Sequence, residues 1–325
     1  MLLKGVFLVE TREKVVKPGL GEKTKRWFRG FGKQWQLQSM ILPGVIFMII
    51  FNFIPIYGLS LAFKQYSVTD TIGGAQWIGL DNFKAIMADK YFWESVWNTV
   101  GISAIKLTVE FFLPIILAVM IYEIPWAPFK KIVQTFTYLP HFLSWIILGG
   151  MLINWLSTNG LINEVLKFIG INAHGNYLLD AGKYWNIAAW SDVWKEAGWG
   201  TILYLATMAG IDPTYYEAAE MDGASKIRQI WSITIPEITN IIALNLILSV
   251  SGLFNSNLDQ TLVLMNSQNQ PKAEVINSYV YRVGLTQGDF SYATAVGLGV
   301  SIISVILLII TNTATKKLND NQSVL

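Results

Sequence analysis

The sequence holds no cysteine and only two histidines, His141 and His174, in 325 residues. The first absence excludes a disulfide framework, a thiolate nucleophile and a cysteine-based metal centre. The second leaves too few imidazoles, too far apart, for a histidine-ligated metal site, which needs several N, O or S donors. Charge is scarce too: 14% of residues are Asp, Glu, Lys or Arg, and the formal net charge is +2. Its basic residues are spread over several loops, which excludes the basic stripe of a nucleic-acid surface. No Ser/His/Asp set and no His-Glu-x-x-His occurs within an apolar stretch, so no catalytic residue and no metal ligand is assigned. The stretch Gly19-Leu20-Gly21-Glu22-Lys23-Thr24 lacks the Gly-Lys-Thr order of a phosphate loop and follows no strand, so no nucleotide is bound by this chain.

What the chain has instead is apolar length. Hydrophobic residues make up 53% of it, and the mean hydropathy is +0.42. That is too much for a soluble domain of this size. A spanning helix needs about 20 mostly apolar residues, and six segments qualify: 40–63, 99–121, 133–156, 186–210, 238–258 and 291–313. The apolar run at the start is too short for a signal peptide, so it is expected to stay on the mature protein.

Basic residues mark the cytoplasmic side of a span. They crowd the first 33 residues, then recur at Lys130 and Lys131, at Lys226 and Arg228, and at Lys316 and Lys317. With six spans, both termini face the cytoplasm. The expected organisation is a cytoplasmic tail at 1–39, one membrane domain at 40–315 and a second tail at 316–325. In the outer loops, the aromatic stretches from Trp77 to Phe83 and from Tyr91 to Trp93 suit short interfacial helices. Most of the thirteen tryptophans fall near span ends, as an aromatic belt requires.

One polar island interrupts the apolar pattern, at 212–236. Asp212 followed by Pro213 is a helix start, and Gly223 a helix stop, since glycine tolerates the left-handed conformation that closes a helix. Ser225 can cap a second short helix, with Ile227, Ile230 and Trp231 on one face and Arg228 and Gln229 pointing elsewhere. Ala218, Ala219 and Ala224 let a partner's backbone approach, and Glu217 and Glu220 offer carboxylates to basic groups.

Charges also lie inside the expected spans. Lys106 and Glu110 are spaced to pair at i,i+4, and Asp192 and Lys195 at i,i+3, with Glu196 beside them. Such groups serve either as helix-packing ion pairs or as the border of an aqueous route. Asn154, Trp155, Trp190, Asp192, Trp194, Lys195, Glu196, Asn245, Asn255 and Asn257 are the candidates to line a substrate path, their amides and indoles suiting sugar hydroxyls and faces. His141, next to Pro140, is expected to satisfy kinked backbone.

The island resembles a known motif. Glu217-Ala218-Ala219, then Gly223, Ile233 and Ile235-Pro236, is similar to the EAA motif of permease subunits in binding-protein-dependent ABC importers. The family usually has Leu where Ile235 stands. Leu42-Pro43-Gly44, the stretch from Phe51 to Gly58, the stretch from Leu139 to Trp145 and that from Trp194 to Gly200 resemble the polysaccharide and oligosaccharide branch, with alginate importers nearest.

The resemblance implies an all-α membrane protein of the type I ABC importer permease fold, with six transmembrane helices, short interfacial helices and a cytoplasmic coupling helix. It implies that Glu217, Ala218, Ala219, Glu220, Asp222 and Gly223 dock on an ATPase subunit. It also implies a second homologous permease subunit, two nucleotide-binding ATPase subunits that hold ATP and Mg, an extracytoplasmic solute-binding protein and an oligosaccharide cargo. The chain would be a transport subunit in membrane lipid, with no cofactor of its own. The alternative is a secondary transporter driven by ions through Lys106, Glu110, Asp192, Lys195 and Glu196.

Overall fold

The structure is a computed structural model that describes residues 35–171 and 175–318. The basic stretch before Trp35, His174 and the end of the expected carboxy-terminal tail lie outside the described residues. The chain divides into two compact units, Met1–Gly58 and Leu59–Leu325.

In the first unit, helix α1 (Trp35–Met48) is apolar on all sides and passes into a π turn, Ile49–Phe53. Pro55 opens the 3₁₀ run Ile54–Phe63 that follows. A proline cannot donate to the α-helical ladder and crowds the carbonyl four residues back, and the wider π turn before it relieves that contact. The run Trp35–Phe63 is 29 residues long, enough to cross a bilayer.

Among the described residues of the second unit, the regular structure is helical apart from one two-residue antiparallel pair, β1 (Lys64–Gln65) with β2 (Gln76–Trp77), in which Lys64 faces Trp77. Helix α2 (Asp81–Ala88) leads to α3 (Lys90–Tyr122), 33 residues long, whose N-cap Asp89 accepts from the Tyr91 amide at 2.8 Å. The aromatic stretch from Tyr91 to Trp93 is therefore the first turn of a long spanning helix, and no separate interfacial helix forms there. Trp77 lies in β2, so only the end of the other aromatic stretch is helical.

The third expected span is not one helix. Helix α4 (Ala127–Tyr138) continues through a 3₁₀ turn, Leu139–Phe142, and bends by 95° into α5 (Trp145–Trp155). Pro140 removes a donor from the ladder, and Ser144 restarts the chain as N-cap of α5, accepting from the Ile147 amide at 3.3 Å. Hydropathy runs unbroken through this elbow, so only the two capping residues betray it.

After α6 (Leu161–Phe168), helix α7 (Tyr184–Met208) runs for 25 residues with Asp192, Lys195 and Glu196 near its middle. Four residues later comes α8 (Pro213–Met221), then α9 (Lys226–Gln229), a π turn at Ile230–Thr234 and α10 (Ile235–Glu237). A 62° bend separates these from α11 (Thr239–Ser251), which begins with the fifth expected span but stops short of its expected end at 258. Short helices α12 (Leu258–Leu264), α13 (Gln270–Ala273) and α14 (Ile276–Tyr281) precede the last long helix, α15 (Phe290–Leu318).

Among the described residues, three helices are long and apolar enough to cross a membrane, or up to five if each bent pair is one span. Helix α7 is long enough, but Asp192, Lys195 and Glu196 crowd five residues near its middle.

The most extensive packing in the unit is between α3 and α7. Near the polar island, Ile115 and Ala118 of α3 pack with Tyr204 and Met208 of α7 and with Ile211 and Ile238. Toward the other end, Ile102 meets Tyr184, Ala188 and Leu264. Between these two apolar clusters lie the ionisable groups.

Candidate functional site

Two regions carry chemistry, the 212–236 loop and the charged middle of α7. In the loop, the Asp212 carboxylate accepts from the Thr214 amide at 2.9 Å, and Pro213 takes the first helical position. That hydrogen bond holds the Asp212 carboxyl below its usual value. Gly223 closes α8 at φ 73°, the left-handed region where a Cβ is disfavoured. The Ala224 amide reaches back to the Ala219 carbonyl at 2.9 Å and the Gly223 amide to Glu220 at 3.0 Å, which completes the closing turn.

Ser225 caps α9, accepting from the Arg228 amide at 3.4 Å. Lys226 spans the two helices, donating to Glu220 at 2.8 Å and to Gln229 at 3.1 Å. This contact lowers the Glu220 carboxyl and raises the Lys226 ammonium.

Gln229 departs from expectation: it is buried and donates to the Ala224 carbonyl at 3.4 Å, while Ile227 and Trp231 face outward. The polar side chain is drawn in because it alone can satisfy the carbonyl at the closing turn and the ammonium beside it. Glu217, Ala218, Glu220, Asp222 and Gly223 are exposed and Ala219 half-buried, with Met221 projecting at 89% exposure. A rigid, doubly capped helix thus presents small residues, carboxylates and one flexible apolar side chain to the outside.

The second region surrounds a cavity of about 630 Å³ between α3, α7 and α11. Its polar wall comprises Ser103, Lys106 and Glu110 of α3, Glu196 of α7, and Asn245 and Asn255 from α11 and the loop after it. The ion pairs observed here, Lys106 with Asp192 across two helices and Lys195 with Glu196 within one, correct the pairings that spacing suggested. Lys106 pairs with Asp192 of the neighbouring α7 and not with Glu110. Lys195 turns away from Asp192, donating at 2.8 Å both to Glu196 Oε1 and to the His141 carbonyl. Close packing of α3 on α7 brings Asp192, 4% exposed, against Lys106, and a buried carboxylate takes the nearest cation available.

His141 also differs from the expected role. Its own carbonyl is satisfied by Lys195, while its ring meets Glu196 Oε2 through Nδ1 at 2.6 Å. The same ring stacks on Trp199, with centroids 4.1 Å apart and planes 6° from parallel.

Of the candidate path residues, the structure brings Glu196, Asn245 and Asn255 to the cavity. Asp192 and Lys195 lie buried behind it in ion pairs. Trp190 and Trp194 are exposed but do not line it. Asn154 returns its amide to the Gly150 carbonyl at 3.0 Å, Trp155 ends α5, and Asn257 caps α12 by accepting from Gln260 at 3.2 Å. Trp199 was not among the candidates, yet it lines the cavity at 43% exposure. Its position, three residues after Glu196 and four after Lys195 on one helix face, was the available signal.

The family described as "Binding-protein-dependent transport system inner membrane component" matches residues 111–320. The polygalacturonan/rhamnogalacturonan transport system permease protein YteP of Bacillus subtilis (strain 168) is 38% identical over 300 residues, covering 92% of this chain and 93% of that one. Protein LplB of the same organism is 35% identical over 292 residues, covering 90% and 92%. Two crystal structures are also similar. One is of a bacterial ABC transporter involved in the import of the acidic polysaccharide alginate, with TM-score 0.82 and 32% identity over 90% of this chain and 99% of that one. The other is of a bacterial alginate ABC transporter in complex with an alginate pentasaccharide-bound periplasmic protein, with TM-score 0.83 and 31% identity over 92% and 99%.

Proposed function

Because the chain belongs to the family of binding-protein-dependent transport system inner membrane components and has the type I ABC permease fold, we propose that it passes an oligosaccharide across the membrane through the cavity between α3, α7 and α11. The chain is a transport subunit and not an enzyme. Its cargo is an oligosaccharide of the acidic kind named for its relatives, handed over by an extracytoplasmic binding protein. The cavity volume falls within the range of about 300–1,000 Å³ common to small-ligand sites. Its mixture of amide, hydroxyl and carboxylate groups beside the aromatic side chains of Phe111, Trp199 and Tyr204 suits a glycan with many hydroxyls.

A second permease subunit completes the pathway, and two ATPase subunits bind ATP and Mg beneath it. Both termini and the 212–236 loop face the cytoplasm, where the basic residues gather. One observation carries the coupling assignment: α7, which brings Glu196 and Trp199 to the cavity, is joined to the exposed α8 by only four residues. A push on α8 is therefore delivered to the cavity wall with little slack. Four of the five groups that an ion-driven mechanism would use, Lys106, Asp192, Lys195 and Glu196, are held in ion pairs, and of the five only Glu110 is outside them.

The absence of cysteine permits a direct test. Met221→Cys in the assembled transporter should crosslink to the ATPase subunit through a short thiol-reactive bridge, and Trp97→Cys, exposed on α3, should not. Crosslinking of Met221→Cys to no ATPase subunit would remove the coupling assignment.

A further inference from the structure

Helix α6 inverts the usual order of burial. Its amide residue Asn163 is 5% exposed, whereas Leu161, Ile162, Val165 and Phe168, with Ile169 at the C-cap, are all exposed, Phe168 at 91%. At about 100° per residue these five apolar side chains fall on one arc of the helix, and Asn163, Glu164 and Lys167 share the other side. In a water-facing helix that arc would be the one turned inward. What fastens α6 is polar: Asn163 Nδ2 lies 2.8 Å from the Ser157 carbonyl, 3.2 Å from the Thr158 carbonyl and 2.9 Å from the Gly175 carbonyl. The returning chain is tied to the same place, since the Tyr177 amide donates to the Leu156 carbonyl at 3.0 Å. Leu156 is the C-cap of α5 and the last residue of the third expected span. Helix α6 is therefore held at the level of that span's end, next to Trp155, a residue type that favours the headgroup level.

We propose that α6 is an in-plane anchor whose partner is the lipid of the bilayer surface, its apolar arc seated among the acyl chains and Lys167 at the headgroups. A helix with one apolar face and one charged face lies in the interface plane in this way. The tether through Asn163 sets the depth, and at that depth lipid is the medium that receives an apolar arc. A soluble binding protein that must dock and leave fits such an arc poorly, because surfaces of non-obligate partners are no more apolar than protein surface in general. The connection between α5 and α7 is thereby moored to the membrane surface by this chain's own residues. The inference needs only the membrane location and is independent of the cargo.

The test uses the complete transporter in vesicles of phosphatidylethanolamine and phosphatidylglycerol. Because the chain has no cysteine, Val165→Cys, Phe168→Cys and Lys167→Cys each create one site in it for a nitroxide label. The wild type taken through the same labelling supplies the background from the other subunits. Collision of each label with oxygen, which concentrates among acyl chains, is compared with its collision with a water-soluble nickel chelate. The oxygen-to-nickel ratio should be several-fold higher at Val165 and Phe168 than at Lys167. A ratio at those two positions no higher than at Lys167 would put the arc in water, and labels closed to oxygen and nickel alike would put it under another protein chain. Either result overturns the proposal. All three side chains are exposed, so the substitutions remove little packing, and Leu161→Cys and Ile169→Cys read the same arc if one variant is poorly produced.

Discussion

A Cβ built on Gly198 of α7 would lie 1.8 Å from the carbonyl oxygen of Thr137 in α4. No side chain fits in that space, and the contact is with backbone, which cannot swing aside. The close approach sits beside the Lys195 and Glu196 contacts to His141, so α7 and the elbow after α4 are fastened over about one helical turn. Gly198→Ala should therefore force the two helices apart, at a cost of about 1–3 kcal/mol or more. Thermal unfolding of the purified protein should show a clear drop for Gly198→Ala and almost none for Gly150→Ala, where the added methyl meets nothing within 4 Å.

The Lys106 and Asp192 pair gives a second prediction. With Asp192 4% exposed, removing its partner strands a buried charge. Lys106→Met alone should cost about 3–5 kcal/mol, and the double variant Lys106→Met with Asp192→Leu should recover much of the loss. Denaturation of the three proteins in matched detergent measures this. Equal losses in the single and double variants would mean that the pair contributes through something other than mutual neutralisation.

Asp89 predicts a pH dependence. Burial raises its carboxyl, but hydrogen bonds from Tyr279 at 2.5 Å and Tyr292 at 3.1 Å, with the amides of Tyr91 and Phe92, outweigh it and hold the group below its ordinary value. Its contribution to stability is therefore complete above the unfolded value of about 3.9 and is lost as pH falls through the lower folded value. Between pH 6 and pH 3 the unfolding temperature of the wild type should fall more steeply than that of Asp89→Asn.

Gly223 predicts a backbone effect with no packing component. Nothing lies within 4 Å of an added Cβ there, but φ is 73°. Gly223→Ala should cost about 1–2 kcal/mol in closing α8. ATP hydrolysed per oligosaccharide imported should rise in this variant, since a frayed α8 transmits less of the ATPase movement. An unchanged stoichiometry would separate the closing turn from coupling.

The loop was legible in the sequence because its signals are local. Asp212, Pro213, Gly223 and Ser225 act within four residues of themselves, so their types fix the caps before any tertiary contact forms. The elbow between Phe142 and Trp145 was not legible, because hydropathy measures apolar length and is blind to direction. The ion pairs failed for a related reason. Spacing names the partners a residue could reach on its own helix, but burial of Asp192 against α3 and of Lys195 against His141 decides which partner is taken. Trp199 was hidden by abundance, since among thirteen tryptophans an aromatic belt accounts for most positions.

The most direct test of the whole account is uptake of labelled tetragalacturonate into proteoliposomes carrying the complete transporter and its binding protein, with ATP supplied or withheld and with Glu217→Lys in place of the wild type. The account predicts uptake only with ATP, and at least a tenfold loss when the exposed carboxylate of α8 is reversed in charge. Uptake that persists without ATP under an ion gradient, and that ignores Glu217→Lys, would contradict it.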